Sequence, residues 1–413
     1  MDNPFAERLE SLMRLAKRRR LDAVALFDEA NVRALTDVAC DNACLLLVPG
    51  EVSRNRDDRA PGTATFITDF RYIPMLHRVA PWLKAVELKS RQPFADALAQ
   101  VLVVKPLGAQ SSRLRIKRLG YEGSIATSRY LALKKKFPKA AFVDVDDDVK
   151  SLRAVKTVSE IAKIAAAEAL NDEIWSRAQK DFKPGMTEKD LQRVIRAWMN
   201  ALGDGEAFET IVCAGANAAE CHHVPDDTVW HKGEPLLVDM GVKLDGVCSD
   251  MTRCLKPKLT SSRDEKLTSS RVDELKSNSS TCQLVNSSTC QLANSSTLQL
   301  EYAHVYDIVL EANRAAIAAA KPGMTCGALD AVARNLIRKA GYGKAFGHSL
   351  GHGVGFEIHE EPCARPKSDT VLEPGMLVTI EPGIYLEGKL GVRIEDLVLI
   401  TTTGCEVLSR SKK

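Results

Sequence analysis

The chain has 413 residues, 45% hydrophobic and 27% charged, with a formal net charge of +3. That length exceeds one ordinary core and predicts two domains, while the nearly balanced charge gives no footing for nucleic acid or an acidic surface as partner. No stretch approaches the roughly 18–20 consecutive apolar residues of a membrane span, and the 11 cysteines are scattered without a CxxC pair, so the expectation is a cytoplasmic protein with reduced thiols and no membrane contact.

Residues 1–150 alternate helical and strand patterns, an α/β unit. "NPFAERLESLMRLAKRR" reads as an amphipathic helix whose basic run, Arg14 to Arg20, is its solvated end. "DAVALF", "NACLLLVP" and "ATFITDF" read as buried strands, "ADALAQVLV" and "RYLALKKKF" as helices. A boundary is expected between about 150 and 155, because a new regime of long helices starts there. Thr157 is placed to cap the first of these, with Val158, Ile161, Ala165 and Ala169 as its apolar face. Pro184 and Gly185 then break the chain, Thr187 caps, and a second helix runs to Gly203.

From 258 to 301 the composition turns polar, as "KLTSSRDE" and "KLTSSRVDE" give way to "NSSTCQLV", "NSSTCQLA" and "NSSTLQLE". Such repeats bury too little apolar surface to offset their ordering entropy. The segment is read as a surface insertion, disordered or loosely β-like, spanning about 256–301 and carrying N-x-S/T triplets at Asn278, Asn286 and Asn294. Helical pattern resumes at Tyr302. "KPGMT" occurs at Lys183 and again at Lys321, each time between two helices, which predicts a C-terminal domain of two related halves.

Four carboxylates carry the chemistry. In "PLLVDMGVKLDGVCSDMTR", a strand–turn–strand, Asp239 and Asp250 are symmetric about the Leu244–Asp245 bond and are expected to face one another. In "IEPGIYLEGKLGVRIED", Glu381 and Glu395 are symmetric about Gly388. Their flanks are apolar, and buried carboxylates so close must share a proton, meet a base or hold a cation. Two such hairpins in one domain favour a metal. His348 and His352 lie four apart in "HSLGH", but Ser349 stands where a zinc-protease helix needs its Glu, and the surrounding glycines argue against a helix. One imidazole facing four carboxylates suits Mn, Co or Fe, and Zn less selectively; four anionic ligands can hold two divalent ions.

The motifs "VDMG", "SDMTR", "GHGVG", "HEEP", "TIEPGIY" and "GVRIED", in that order, resemble the M24 metallopeptidases, a family that includes methionine aminopeptidase, aminopeptidase P and prolidase. "TDFRY" at Thr68 resembles the creatinase-type domain that precedes the catalytic domain in prolidases and aminopeptidases P. The resemblance implies an α+β chain: a creatinase-type α/β domain over 1–150, then a pita-bread (creatinase/aminopeptidase) domain over 155–413. It implies two divalent metal ions, manganese first, held by Asp239, Asp250, His352, Glu381 and Glu395, with Asp250 and Glu395 bridging. Glu381 is then the proton acceptor, and His222 and His359 bind substrate and steady the intermediate. His348 closes the pocket, and Arg393 pairs with a carboxylate. The substrate class implied is a proline-containing peptide, cleaved after the residue before proline, and the assembly a homodimer. His223 is read as surface, Cys221 and Cys248 as packing. Prolidases often carry an arginine after the proline of the "HEEP"-like motif to hold a dipeptide carboxylate; here that position is Cys363, with Arg365 two residues on. Two competing readings stand beside this one: a silent peptide-binding protein inactivated by the insertion, and a metal-free creatinase-like C–N hydrolase.

Overall fold

Strand Ala43–Val48 is buried along nearly its whole length, and its alternate side chains enter two different cores. Leu45 and Leu47 pack with Leu12 and Leu35, whereas Cys44 and Leu46 pack with Leu98 and Leu133. A strand buried on both faces needs helices on both sides, and this dictates the architecture of the first of two units. The computed structural model describes residues 4–50, 62–103, 116–231, 234–255 and 287–413, and divides into Met1–Arg153 and Ala154–Lys413.

In the first unit the strands are β1 (Ala23–Leu26), β2 (Ala43–Val48), β3 (Thr63–Thr68), β4 (Lys84–Glu87), β5 (Arg118–Tyr121) and β6 (Ala141–Asp144). They form one sheet in the order β4-β3-β2-β1-β5-β6, antiparallel at its centre and parallel towards both edges. The helices are α1 (Pro4–Arg18), α2 (Glu29–Thr36), α3 (Ile73–Val79), α4 (Phe94–Val103), α5 (Thr127–Lys136) and α6 (Asp146–Ala154). The sequence patterns identify the three central strands but not β4, β5 or β6. The edge strands β4 and β6 are only partly buried, so neither carries the apolar run that marks the centre.

The second unit opens with α7 (Val158–Asp181), capped by Thr157 in a reciprocal box with Glu160. The expected apolar face is not the buried one: Val158 is 86% exposed, and the buried stripe runs through Ile164, Ala167, Glu168, Asn171, Ile174, Trp175 and Ala178. Glu168 and Asn171 break the apolar pattern because they bind backbone, at Asp250 N–H and the Met240 carbonyl respectively. Helix α8 (Glu188–Leu202) follows, then β7 (Gly205–Glu206), β8 (Ile211–Ala214), β9 (Leu236–Met240), β10 (Val242–Leu244), β11 (Val247–Cys248) and β12 (Met251–Leu255). Next come α9 (Ser287–Ala319), α10 (Cys326–Lys339), β13 (Gly351–Gly353), β14 (Glu360–Ala364), β15 (Leu377–Ile380), β16 (Gly383–Leu386), β17 (Leu390–Arg393), β18 (Asp396–Ile400) and β19 (Cys405–Val407).

The predicted insertion is corrected at its end. Residues 256–286, with most of the repeats and both Asn278 and Asn286, lie outside the described residues. From Ser287 onward the repeat is α9, not a β-like loop. No Gly or Pro interrupts Ser287–Ala319, and a helix already anchored by packing at Tyr302, Val305 and Val309 propagates at one hydrogen bond per residue through Ser, Thr, Gln and Leu.

The two "KPGMT" copies adopt the same structure. Gly185 and Gly323 have φ of 91° and 83°, Thr187 and Thr325 cap the following helices, and each threonine bridges a valine, Val229 or Val371. Trp230 N–H binds the Met186 carbonyl as Leu372 N–H binds that of Met324, both at 2.9 Å. Each helix pair packs on its own sheet. Ile174, Leu191 and Ile195 meet Val212, Leu236 and Val238 of the β12-β9-β8 sheet, and Val309, Leu329 and Ala333 meet Val378 and Val398 of the β15-β18-β19 sheet. Thr187→Ala removes a reciprocal cap and should cost about 1 kcal/mol, read as a lower urea midpoint with the far-UV spectrum unchanged.

Candidate metal centre

Asp245 and Gly246, with φ of 50° and 71°, make the two-residue turn that suits a tight hairpin. The ladder therefore centres on Asp245–Gly246, pairing Leu244 with Val247, Lys243 with Cys248 and Asp239 with Thr252. This corrects the expected opposition of Asp239 and Asp250: the register is displaced by two positions, because the turn geometry, not carboxylate symmetry, sets it. A shift of two keeps the same face of the sheet, so both carboxylates still point one way. In the second hairpin Ile380 pairs with Asp396 and Gly383 with Arg393, which leaves Glu381 and Glu395 opposite one another at the break between the two ladders.

His352 stands on β13 between two glycines. A Cβ on Gly351 would overlap the Thr379 carbonyl, and one on Gly353 the Glu361 carbonyl, so only glycine lets this strand lie so close to its neighbours. The His352 N–H donates to Thr379 Oγ1 at 3.0 Å, and its Nδ1 lies 3.0 Å from the Gly353 carbonyl. A carbonyl only accepts, so Nδ1 carries the proton and Nε2 keeps its lone pair. Burial pushes the imidazole down to about 4, which keeps it neutral. Nε2 faces Asp250 Oδ2 at 3.5 Å and Glu381 Oε1 at 3.6 Å, and donor atoms of Asp250, His352 and Glu395 all lie within 4.8 Å of one another.

Asp250 and Glu395 are buried. Desolvation and then the neighbouring carboxylates hold both well above the usual carboxylate range, and Glu381, chiefly by burial, is pushed up to about 8. Arg393 supplies compensation: Nη2 donates to Asp239 Oδ2 at 2.6 Å, Nε to Thr252 Oγ1 at 3.0 Å and Nη1 to Tyr385 Oη at 2.9 Å. Thr252 Oγ1 in turn donates to Glu395 Oε2 at 2.7 Å. Four carboxylates against one guanidinium leave −4 + 1 = −3 when all are ionised. Asp239 Oδ1 is buried without a hydrogen-bond partner. An orphaned acceptor, three raised carboxyls and a bare imidazole nitrogen form a donor set that fits divalent cations.

The other predicted residues surround this cluster. His359 is exposed, and its ring lies 4.4 Å from that of His352 at 76°. His348 Nδ1 is 4.0 Å from Glu381 Oε2, and its Nε2 meets Tyr385 Oη at 3.0 Å. Burial first, then the Arg393 charge, pushes His348 down to about 4, with His222 among the smaller causes. His222 is exposed, and the carbonyl of Cys221 before it accepts from Arg393 Nη1 at 3.4 Å. The reading of His223 as surface is overturned. It is buried because Nε2 meets Glu188 Oε2 at 2.7 Å and Nδ1 faces Glu220 Oε2 at 3.2 Å. Cys248 is buried, with Sγ towards the Phe356 carbonyl.

Sequence reasoning missed Tyr385, Thr252 and Glu168. Tyr385 lies in β16, four residues after Glu381, but the break at Glu381–Pro382 hides any shared face from the sequence. Glu168 had no signal beyond an acid inside an alanine-rich helix; its Oε2 accepts from Asp250 N–H at 3.2 Å and its Oε1 from Ser409 Oγ at 2.6 Å.

The sequence model of metallopeptidase family M24 matches residues 162–271 and 287–402, more than half of the chain. The chain belongs to metallopeptidase family M24. The Creatinase/Prolidase N-terminal domain matches residues 8–155, so this M24 protein has the α+β organisation of a creatinase-type domain followed by a pita-bread domain. An Xaa-Pro dipeptidase of Pyrococcus furiosus is 35% identical over 71% of this chain and 74% of its own length. Among solved structures, an Xaa-Pro dipeptidase from Bacillus anthracis superposes with TM-score 0.79 at 31% identity, covering 99% of this chain and 98% of its own. An X-Pro aminopeptidase from Thermotoga maritima gives 0.72 at 30% identity, covering 96% and 98%. Tyr385→Phe deprives Arg393 and His348 of a shared partner; peptidase kcat should fall by roughly tenfold, the size of one buried hydrogen bond, with bound metal unchanged on elemental analysis.

Proposed function

We propose that this M24 protein hydrolyses the bond between an N-terminal residue and proline, in Xaa-Pro dipeptides or longer Xaa-Pro peptides, as a dinuclear metallo-exopeptidase. The observation that carries this reading is the convergence of buried Asp250 and Glu395 with partly buried Asp239, His352 and Glu381, and with an unpartnered Asp239 Oδ1. The dipeptidase and aminopeptidase activities in the names of its relatives support the substrate class. Manganese is the first candidate metal on donor chemistry, with Co, Fe and Zn behind it.

Asp239, Asp250, His352, Glu381 and Glu395 would hold the ions. Bound there, divalent ions supply Lewis acidity, lowering the pKa of a water and polarising the scissile carbonyl. Glu381 would accept the proton of the attacking water, its carboxylate held in the ionised form by the cations beside it. His222 and His359, both exposed towards solvent, bind the substrate, and Arg393 fixes Asp239. His348 closes the pocket: its Nδ1 is engaged by the Ser349 carbonyl at 2.8 Å and its Nε2 by Tyr385. The Xaa-Pro bond has no N–H and a restricted geometry, which a dedicated site exploits.

Nine cysteines, among them Cys40, Cys213 and Cys326, are free thiols, which suits a reducing cytoplasm. No helix among the described residues is long and apolar enough to cross a membrane. A homodimer is the expected assembly, checked by light scattering.

Xaa-Pro and Xaa-Pro-Yaa peptides assayed with Mn, Co and Zn test the substrate class. Turnover of these, and none of matched peptides lacking proline, is the expected result; equal rates on both would refute it. Asp250→Ala should abolish turnover and metal retention together, and a variant that kept its full metal content would refute its role as a ligand. Chelation should abolish activity, and metal replacement restore it; a purified protein that binds no metal would favour a silent binding role.

A further inference from the structure

Glu188, the first residue of α8, is fully buried and lies outside the carboxylate cluster. Its Oε1 accepts from Ala214 N–H at 2.6 Å and from Asn217 Nδ2 at 3.0 Å. Its Oε2 accepts from His223 Nε2 at 2.7 Å and from Asp226 N–H at 3.0 Å. A carboxylate offers about four lone-pair sites, and all are used. This decides how to read the group Glu188, His223 and Asp226, whose donor atoms lie within 4.8 Å of one another. With Glu188 saturated by N–H donors, the group is a hydrogen-bonded node and not a second metal site.

The four donors belong to one segment. Ala214 ends β8, Asn217 sits in the short 3-10 turn that follows, and His223 and Asp226 close the loop. His222 lies inside it. The residue before it, Cys221, is tied through its carbonyl to Arg393, which also holds Asp239. The residue after it, His223, is tied to Glu188. His222 therefore stands between two anchored neighbours, one leading to the metal centre and one to the start of α8. Both ring nitrogens of His223 face carboxylate oxygens, of Glu188 and Glu220, as in a ring that donates from both. Burial alone would lower its pKa, but these two partners raise it.

We propose that Glu188 and His223 are positioning residues, which act by holding the 214–226 loop so that His222 is presented to the substrate. The proposal rests on the substrate role of His222 given above. It explains why a histidine beside an exposed one is buried, and why an acid at a helix start is wholly enclosed by a loop from elsewhere in the chain.

The test is a double-mutant cycle on the metal-loaded protein with an Xaa-Pro peptide. His223→Leu should lower kcat by roughly 10- to 100-fold, the cost of about an ångström of misplacement, with KM changed much less and the metal content equal to that of the parent. His223→Gln, whose side-chain N–H still reaches towards Glu188, should recover most of the loss, whereas the shorter His223→Asn should not. In the His222→Ala background, His223→Leu should cost nothing further. A full additional loss on top of His222→Ala would overturn the positioning role alone. An unchanged kcat in His222→Ala would overturn the substrate role and this proposal with it. Loss of a bound ion in His223→Leu would overturn the proposal in favour of a metal site. If His223→Leu does not fold, equal kcat in His223→Gln and His223→Asn would overturn it instead.

Discussion

The constraint on which the second unit depends is the gathering of four buried or partly buried carboxylates around one guanidinium and one neutral imidazole. Removing such groups from water is costly, and their mutual repulsion adds to that cost. Arg393 offsets one charge at Asp239, and Thr252 donates to Glu395 Oε2, whereas Glu168 only accepts from the Asp250 backbone N–H. What they leave is a net negative pocket with an unpartnered Asp239 oxygen. Divalent ions bound there, as proposed above, would resolve this. The same features that make the cluster costly on its own would favour such ions.

Two hairpins bring the acids together, and each is set by its turn. The Asp245–Gly246 turn centres the first ladder, and the Gly388 turn the second, with φ of 68° at Gly388. Because side chains alternate with period two, a register set at the turn decides which face every acid occupies. Behind each hairpin lies a helix pair joined by the same "KPGMT" geometry. The two halves therefore present equivalent sheets from equivalent supports, and the acids meet where these ladders are interrupted.

Charge and packing are linked through backbone contacts. The glycines flanking His352 let β13 sit against Thr379 and Glu361, which aims Nε2 at Asp250 and Glu381. Arg393 connects Asp239, Thr252, Tyr385 and the Cys221 carbonyl, so one side chain joins the carboxylate cluster to the loop of His222. The buried pair Lys156–Glu360, at 2.7 Å, anchors the residue after His359 in the same manner.

The sequence by itself determined the two-domain α+β organisation, the central strands of the first unit, the caps at Thr157 and Thr187, and the five metal-binding candidates. Each of these is a local pattern: an apolar run, a capping residue, or an acid repeated about a turn. It also determined the family, because the motifs lie in a characteristic order. Only the tertiary structure decided that Thr252, not Asp250, opposes Asp239, that α9 begins within the repeats, and that α7 buries Glu168 and Asn171 in place of Val158. It alone showed that His223 is enclosed by Glu188. The physical reason is common to all four. Register depends on turn dihedrals, helix length on what the helix packs against, and the burial of a polar side chain on whether a distant group satisfies its hydrogen bonds. None of these is visible in the spacing of residues along one chain.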